Sequence, residues 1–433
     1  MQTRFDPERL RDPDIQEADG ILRACVHCGF CTATCPTYRL RGDELDGPRG
    51  RIYLIKNMLE ADAAPAPQVV THLDRCLSCL GCMTTCPSGV NYMHLVDIAR
   101  AHVERRHRRP PRQRALRALI AFVLPRPGLF GAIVAAGRRL RPLARWLPAR
   151  LAGAFELLPV ARADAAKAVA DADPAGDGVR RVALLAGCVQ PVLDSGIGAA
   201  TARVLRRHGI GVEMLPAGCC GAVEHHLGRE QAARARMAAN VDAWSARMAA
   251  TGCDALAVDA SGCGTLVKDY GHLLRADPVR SGPAAALAGS VRDIAEILET
   301  LPLRRTRVAG EGPVAVAYHA PCSLQHGQRV TSAPLAVLAR LGFAVRPVED
   351  AHLCCGAAGT YHLLQPEISA ELGRGKAGRL CDSGAEVIAT SNLGCALQLR
   401  RFADRPVVHL VELVDWATGG PLPAALVPPR PGH

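Results

Sequence analysis

The sequence predicts an α+β multidomain protein: a helical N-terminal unit organised by two cysteine runs, followed by two tandem α/β cysteine-rich repeats. Three observations carry this. Residues 25–36, CVHCGFCTATCP, return at 76–87 as CLSCLGCMTTCP, each a C-x2-C-x2-C-x3-C-P run. The C-terminal half repeats a set of landmarks in which short apolar strands lead to cysteines. Between the landmarks lie stretches of helical period, so strand and helix alternate, as in an α/β fold whose strand C-terminal ends gather along one edge. At 433 residues and 49% hydrophobic composition, the chain is long enough for two or three domains with cores of their own.

The first unit, residues 1–105, contains both runs. Pro36 and Pro87 turn the chain away after each fourth cysteine. The spacing is that of two-cluster ferredoxins, where three cysteines of a run hold one [4Fe–4S] cluster and the fourth reaches across to the other. That rule assigns one cluster to Cys25, Cys28, Cys31 and Cys86 and a second to Cys76, Cys79, Cys82 and Cys35. A zinc ribbon needs fewer cysteines, and eight thiolates in one small region argue against the oxidising compartment a disulfide framework requires. His27, inside the first loop, is read as a hydrogen-bond donor to a sulfur rather than an iron ligand. Between the runs, PRGRIYLIKNMLE (48–60) places Ile52, Ile55 and Leu59 at helical spacing behind a proline start. The connector is therefore a helix, and the unit is the helical ferredoxin variant rather than the compact β form.

The second unit, 106–178, is a basic amphipathic arm and linker. The chain carries a formal net charge of +11. Residues 100–150 hold fourteen arginines, no lysine and one acid, Glu104, so one arm explains the excess. Its interleaved Leu, Phe, Ile, Val and Trp146 suit either an anionic membrane surface or a neighbouring subunit. No groove-reading motif accompanies the charge, which excludes nucleic acid as a partner. The apolar stretches 118–124 and 129–136 are broken by Pro125, Arg126 and Pro127 and fall short of the roughly 20 residues of a membrane span. The polar start MQTRFDPERL reads as no export signal, so the expected location is the cytoplasm, with peripheral contact at the inner face of the cell membrane. An Ala/Asp/Gly-rich stretch, 161–178, reads as the linker.

The third and fourth units, 179–300 and 301–433, are the repeats. VALLAGC (182–188) matches VAVAYHAPC (314–322), and AGCCGAVEHH (217–226) matches HLCCGAAGTYH (352–362). DALAVDASGCGTLV (254–267) matches AEVIATSNLGCALQL (385–399), each read as a strand ending in Gly-Cys. VRDIAEIL (291–298) and VHLVELV (408–414) close the units. Each repeat thus offers four thiols: Cys188, Cys219, Cys220 and Cys263, then Cys322, Cys354, Cys355 and Cys395. Adjacent cysteines suit a multi-iron cluster better than one tetrahedral zinc, although either metal, or thiols packed as small hydrophobes, is compatible with the pattern. Cys253 and Cys381 fall outside the alignment and are read as structural. His225, His226, His319, His352 and His362 flank the cysteines and are read as satisfied loop histidines before ligands or proton carriers. GAAGTYHLLQ (356–365) and GIGAATARVL (196–205) lack the full dinucleotide fingerprint, so no flavin or nicotinamide site and no catalytic residue is expected in this chain.

The C…CCG…GC unit resembles the cysteine-rich "CCG" domain of the heterodisulfide reductases and their relatives. Together with CVHCGFCTATCPTYRLRGDELDGPRGRIYLIK and HLDRCLSCLGCMTTCPSGVNYMHLVDIAR, nearly the whole chain resembles the iron–sulfur subunits of glycolate oxidase, with GDELDGPRGRIYLIK the most family-specific stretch. The resemblance implies an electron-transfer oxidoreductase subunit in a hetero-oligomer with FAD-containing subunits that oxidise glycolate to glyoxylate, with quinone as acceptor. Alternatives are the same role for lactate, another 2-hydroxy acid or glycerol 3-phosphate, a thiol-active heterodisulfide-type catalyst, and a non-redox metal scaffold. Relatives of the reductase carry C-x2-C at the end of the unit. Here Ala260 and Asn392 stand where its first cysteine would be.

Overall fold

The computed structural model describes residues 1–140, 180–306 and 313–427. The arm beyond residue 140, with Trp146, and the linker 161–178 lie outside the described residues.

The N-terminal unit is helical. Helices α1 (Pro13–Ala24), α2 (Pro48–Ala61) and α3 (Tyr92–Arg106) pack through Ile15, Ala18 and Leu22, through Ile52, Ile55 and Leu59, and through Leu95, Ala99 and Val103. The three- and four-residue spacings put each set on one face. Asp12 caps α1 by accepting from Asp14 N, and Asn91 caps α3 by accepting from His94 N. The connector helix α2 matches the expected span and starts, as expected, behind Pro48.

Two further helices, α4 (Pro111–Val123) and α5 (Pro127–Leu140), are separated by Pro125 and meet at 111°. Helix α4 buries Ile120 and Ala121 against Leu227 and leaves Leu116, Leu119 and Phe122 exposed. Leu129, Ile133 and Leu140 of α5 are exposed as well. Among the described residues no single helix is long and apolar enough to cross a membrane.

The repeats are built alike. The first runs β1 (Arg181–Leu184), α6 (Ser195–Arg207), β2 (Gly211–Met214), α7 (Glu230–Thr251), β3 (Ala255–Val258), α8 (Ser261–Lys268), α9 (Ser281–Ser290), β4 (Val291–Asp293) and α10 (Ile294–Thr300). The second runs β5 (Ala315–His319), α11 (Ala333–Arg340), β6 (Ala344–Arg346), α12 (Pro366–Asp382), β7 (Val387–Thr390), α13 (Leu393–Arg400), β8 (Val407–His409) and α14 (Leu410–Ala417). Each forms a four-stranded parallel sheet, in orders β2-β1-β3-β4 and β6-β5-β7-β8. The central strands are buried along their length, which is why they read as continuous apolar runs rather than alternating ones. Register fixes the equivalence of the repeats: Leu184 pairs with Ala257 where Tyr318 pairs with Ala389. One step further along, Leu185 corresponds to His319.

The sheets share one core. Helix α6 of the first repeat packs on α14 of the second, and α10 of the first packs on α11 of the second, a pseudo-twofold exchange. Arg203 and Arg207 of α6 both reach Asp415 of α14, at 2.6 and 3.0 Å. The closing motifs form matching capping boxes, Asp293 with Glu296 and His409 with Glu412.

One detail corrects the sequence reading. Cys263 and Cys395 do not end a strand: β3 stops at Val258 and β7 at Thr390, and both cysteines lie in the first turn of the following helix. A parallel strand delivers its chain to a helix N-terminus after a short loop, so the thiol sits near the partial positive charge of that end.

Candidate metal centres

The two N-terminal runs fold into matching loops. His27 and Ser78, the residue before the second cysteine of each run, are in the left-handed region at φ 56° and 51°, and Gly29 and Leu80, just after it, are at 84° and 62°. Non-glycine residues there cost about 1 kcal/mol or more each, so the same curl in both loops is a specified feature and not a default conformation.

The structure brings the cysteines together across the runs. One cavity is lined by Cys25, Cys28 and Cys31 of the first run together with Cys86 and Cys82 of the second. A second is lined by Cys76, Cys79 and Cys82 of the second run together with Cys35 of the first. The electrostatics agree. Burial pushes the Cys31 thiol up to about 11, with Cys25, Cys86 and Cys28 as the thiols that add to it. Burial also raises Cys82, with Cys79, Cys76, Cys35 and Cys31 as the thiols that add to it.

The two cavities differ in surroundings. Cys28, Val26 and Phe30 beside the first are exposed, Val26 at 67% and Phe30 at 63%. The second is buried and ringed by donors. Ser78 N–H donates to Cys76 Sγ at 3.4 Å and the Tyr92 hydroxyl at 3.9 Å. Thr37 Oγ1 lies 3.3 Å from Cys35 Sγ, and Arg51 Nη1 donates to that sulfur at 3.9 Å. Burial pushes the Cys76 thiol up, but Arg51 and Arg100, with the Ser78 N–H and Tyr92 hydroxyl, outweigh it and bring it below its ordinary value.

Behind the second cavity lies a buried charge network that sequence reasoning did not find. Arg51, 1% exposed, donates to His72 O at 2.7 Å, to Thr37 Oγ1 at 3.1 Å and to Asp46 Oδ1 at 3.4 Å. Asp46 also accepts from Arg75 at 2.9 Å and lies 2.9 Å from His72 Nδ1. Asp46 and Arg51 both belong to the GDELDGPRGR stretch, whose density of Asp, Gly and Arg was the available signal. Gly50 is required there because a Cβ would run into the Glu44 carbonyl. Among the described residues His27 makes no hydrogen bond to a cysteine sulfur. Its buried Nε2 has no hydrogen-bond partner among the described residues, and the sulfur donors are the residues just named.

In the first repeat Cys188, Cys219, Cys220 and Cys263 form a linked chain of thiols. The neighbouring thiols of Cys188 and Cys220, with the Gly221 N–H that donates to Cys219 Sγ at 3.3 Å, hold Cys219 far below the usual thiol range. In the second repeat Cys322, Cys354, Cys355 and Cys395 form the equivalent chain. Lys376, 2% exposed, donates to Asp350 O and Ala351 O beside these thiols. The N-terminal unit abuts this second group: Cys79 is packed with Cys322 and Cys354 around Leu77. The thiol groups of the two repeats are joined through Ser261 and Ser323, whose hydroxyls lie 2.7 Å apart.

Outside these groups the histidine readings divide. His225 pairs with Asp97 at 3.0 Å, and His362 is engaged by the Ala357 and Gly359 backbone. Among the described residues no side-chain hydrogen bond is seen for His226 or His352, and His319 differs from all of these in being 1% exposed with neither ring nitrogen partnered. Cys253 and Cys381 stand apart from both groups, and no disulfide joins any of the cysteines.

Comparison with known proteins places this geometry. Residues 21–90 match the 4Fe-4S dicluster domain, and residues 182–268 and 316–400 each match the cysteine-rich CCG domain. The glycolate oxidase iron–sulfur subunit of Escherichia coli K12 is 44% identical over 96% of this chain and 99% of its own length. The chain belongs to the family of glycolate oxidase iron–sulfur subunits. A probable glycolate oxidase iron–sulfur subunit of Bacillus subtilis 168 is 30% identical over 97% of this chain and 99% of its own. Lactate utilization protein A of Oceanobacillus iheyensis is more distant, 27% identical over 54% of this chain. Family membership makes this chain the iron–sulfur, electron-transfer component of an oxidoreductase complex. The donor sets agree with that role: soft thiols in groups of four, converging from separate loops, are what iron–sulfur clusters require.

Proposed function

We propose that the chain carries electrons from FAD-containing subunits that oxidise glycolate to glyoxylate, delivering them towards quinone at a membrane surface. In this reading Cys25, Cys28, Cys31 and Cys86 hold one [4Fe–4S] cluster, and Cys76, Cys79, Cys82 and Cys35 hold a second. The four thiols of each CCG repeat are candidate ligands of further metal. When bound, such clusters supply one-electron carriers, which is what a two-electron flavin needs in order to pass its electrons on singly. The residues of this chain shape the route. Val26 and Phe30 leave the rim of the first cavity open to a partner, while Arg51, Tyr92 and Ser78 stabilise thiolate charge in the second.

The observation that carries the proposal is the continuity of sulfur sites, from the exposed first cavity through the second to Cys322 and Cys354 of the second repeat. The test is affinity purification under anaerobic conditions, with cofactor, metal and substrate profiling of what accompanies the chain. Co-purified FAD, reduction of the iron–sulfur spectrum by glycolate and about eight iron atoms in the N-terminal unit are expected. Reduction by lactate or glycerol 3-phosphate and not by glycolate would overturn the substrate. Four or fewer iron atoms in reconstituted protein would overturn the pair of clusters.

The exposed stripe of α4 and α5, with Arg112, Arg114, Arg126 and Arg139 beside it, favours an anionic membrane as the surface where quinone is met.

A further inference from the structure

We infer that His319 is a metal ligand, so that the second CCG repeat binds through a mixed cysteine and histidine set while the first binds through cysteine alone. The inference rests on reading the second repeat as a metal centre.

His319 is the last residue of β5, at the edge of the sheet where the cysteines gather. One ring nitrogen and the Sγ atoms of Cys355 and Cys395 all lie within 4.8 Å of one another, and all three residues are buried. Both ring nitrogens of His319 lack a hydrogen-bond partner among the described residues. A buried polar atom left without a partner costs about 1–3 kcal/mol, and the neutral imidazole carries one donor and one acceptor. Packing does not call for this residue. The register places Leu185 at the same point of the first repeat, where an apolar side chain, 2% exposed, fills the space. A histidine that the fold does not need, and whose nitrogens it does not satisfy, is aimed at two thiols.

Ligation by His319 also accounts for the missing cysteine. Asn392, at the position where C-x2-C would begin, donates through Nδ2 to Cys395 Sγ at 3.5 Å and supplies no sulfur. His319 approaches the same sulfur from the neighbouring strand and offers the additional donor atom from there. An imidazole is neutral where a thiolate is charged, so its metal site carries less negative charge and is more easily reduced, as when histidine replaces cysteine in an iron–sulfur centre. Lys376, buried beside Cys322, Cys354 and Cys355, acts in the same direction. The first repeat has Leu185 in place of His319 and, for a cation beside its thiols, Arg236 near Cys219 and Cys188, so the histidine is what separates the two groups, and it is the second repeat that Cys79 adjoins. The two repeats are thereby assigned different roles, with the second the favoured recipient of electrons from the N-terminal unit.

The test is electron–nuclear double resonance on the full chain, anaerobically reconstituted with iron and sulfide and labelled with 15N-histidine. A nitrogen coupling is expected on a centre other than those of the N-terminal unit. His319→Leu, which copies the first repeat, should remove that coupling, and His319→Cys should keep the metal, lose the coupling and shift the potential downward. Iron in the second repeat that disappears in Cys355→Ser, but shows no histidine coupling and is unchanged in His319→Leu, would overturn the role of His319 while leaving the metal centre intact. If Cys355→Ser and Cys395→Ser change neither iron content nor spectrum, the repeat holds no metal and both readings fall. If His319→Leu folds poorly, His319→Cys carries the assignment, because the coupling must vanish there while the metal stays; a coupling that persists in His319→Cys would overturn the role of His319.

Discussion

Replacing Arg51 with methionine keeps the length of the stem and removes the guanidinium, which leaves Asp46 under-compensated at the base of the second cavity. Both side chains are buried, at 2% and 0% exposure. Removing one partner of a buried ion pair costs about 3–5 kcal/mol, because the other charge stays out of water. Arg75 and His72 remain on Asp46, so the loss should fall at the lower end, about 3 kcal/mol. For a unit of about 100 residues, that lowers the melting temperature by more than about 10 °C. The same substitution withdraws a positive charge from Cys35 and Cys76, so the cluster they hold should become harder to reduce while the first cluster keeps its potential. Calorimetry of the purified chain and a redox titration followed by electron paramagnetic resonance read the two effects separately. Arg51→Lys should restore much of the potential but little of the stability, since the ammonium keeps the charge and loses the fork that bridges His72 O, Thr37 and Asp46. Arg51→Met/Asp46→Asn should recover part of the lost stability. An unchanged melt together with an unchanged potential in Arg51→Met would refute the reasoning.

Cys86→Ser should disturb the spectrum of the cluster held by Cys25, Cys28 and Cys31, and Cys35→Ser that held by Cys76, Cys79 and Cys82, through the harder oxygen ligand. Resonance spectra showing each substitution confined to its own run would exclude crossed ligation. Gly50→Ala forces a methyl against the Glu44 backbone, so about 3 kcal/mol and part of the iron should be lost, as measured by denaturation and iron assay. His94 bridges Glu17 at 2.7 Å and Asp269 at 3.2 Å, stacks on His272 at 3.8 Å, and has Asp14, Arg234 and Arg275 around it. Burial alone would lower its pKa, but Asp269 and Glu17 raise it to about 9. The contact it makes between α3 and the first repeat is therefore complete below about pH 6.5 and lost as pH rises through about 9, up to about 3 kcal/mol. Protection factors of α3, taken from hydrogen exchange after division by the intrinsic rate at each pH, should fall between pH 6 and pH 9.5 in the native chain and not in His94→Gln. Binding to anionic vesicles should weaken with salt, screened over about 10 Å at 0.1 M, and fall in Leu119→Glu/Phe122→Glu. Equal flotation with neutral and anionic lipid would make the arm a protein-docking surface instead.

Local chemistry made much of this protein legible before any fold was known. The spacing of the two runs defines loops short enough that three sulfurs must converge, and Pro48 with the spacing of Ile52, Ile55 and Leu59 defines a helix between them. The tandem repeat was visible because the same strand, turn and helix must be encoded twice for two sheets to form. Which side chains meet across the chain was decided only by packing. Cys86 comes beside Cys25, Cys28 and Cys31 because α2 and α3 fold back on α1, and Cys79 reaches Cys322 and Cys354 because the second repeat, not the first, closes over that loop. Arg51 and Asp46 are five residues apart in sequence, yet their weight comes from burial, with His72 and Arg75 brought in from the next helix. His319 reads in sequence like any histidine near a cysteine. Only the register of β5 against β7 places it beside two thiols with no partner for either nitrogen among the described residues, because a side chain's neighbours across parallel strands are set by pairing and not by spacing along the chain.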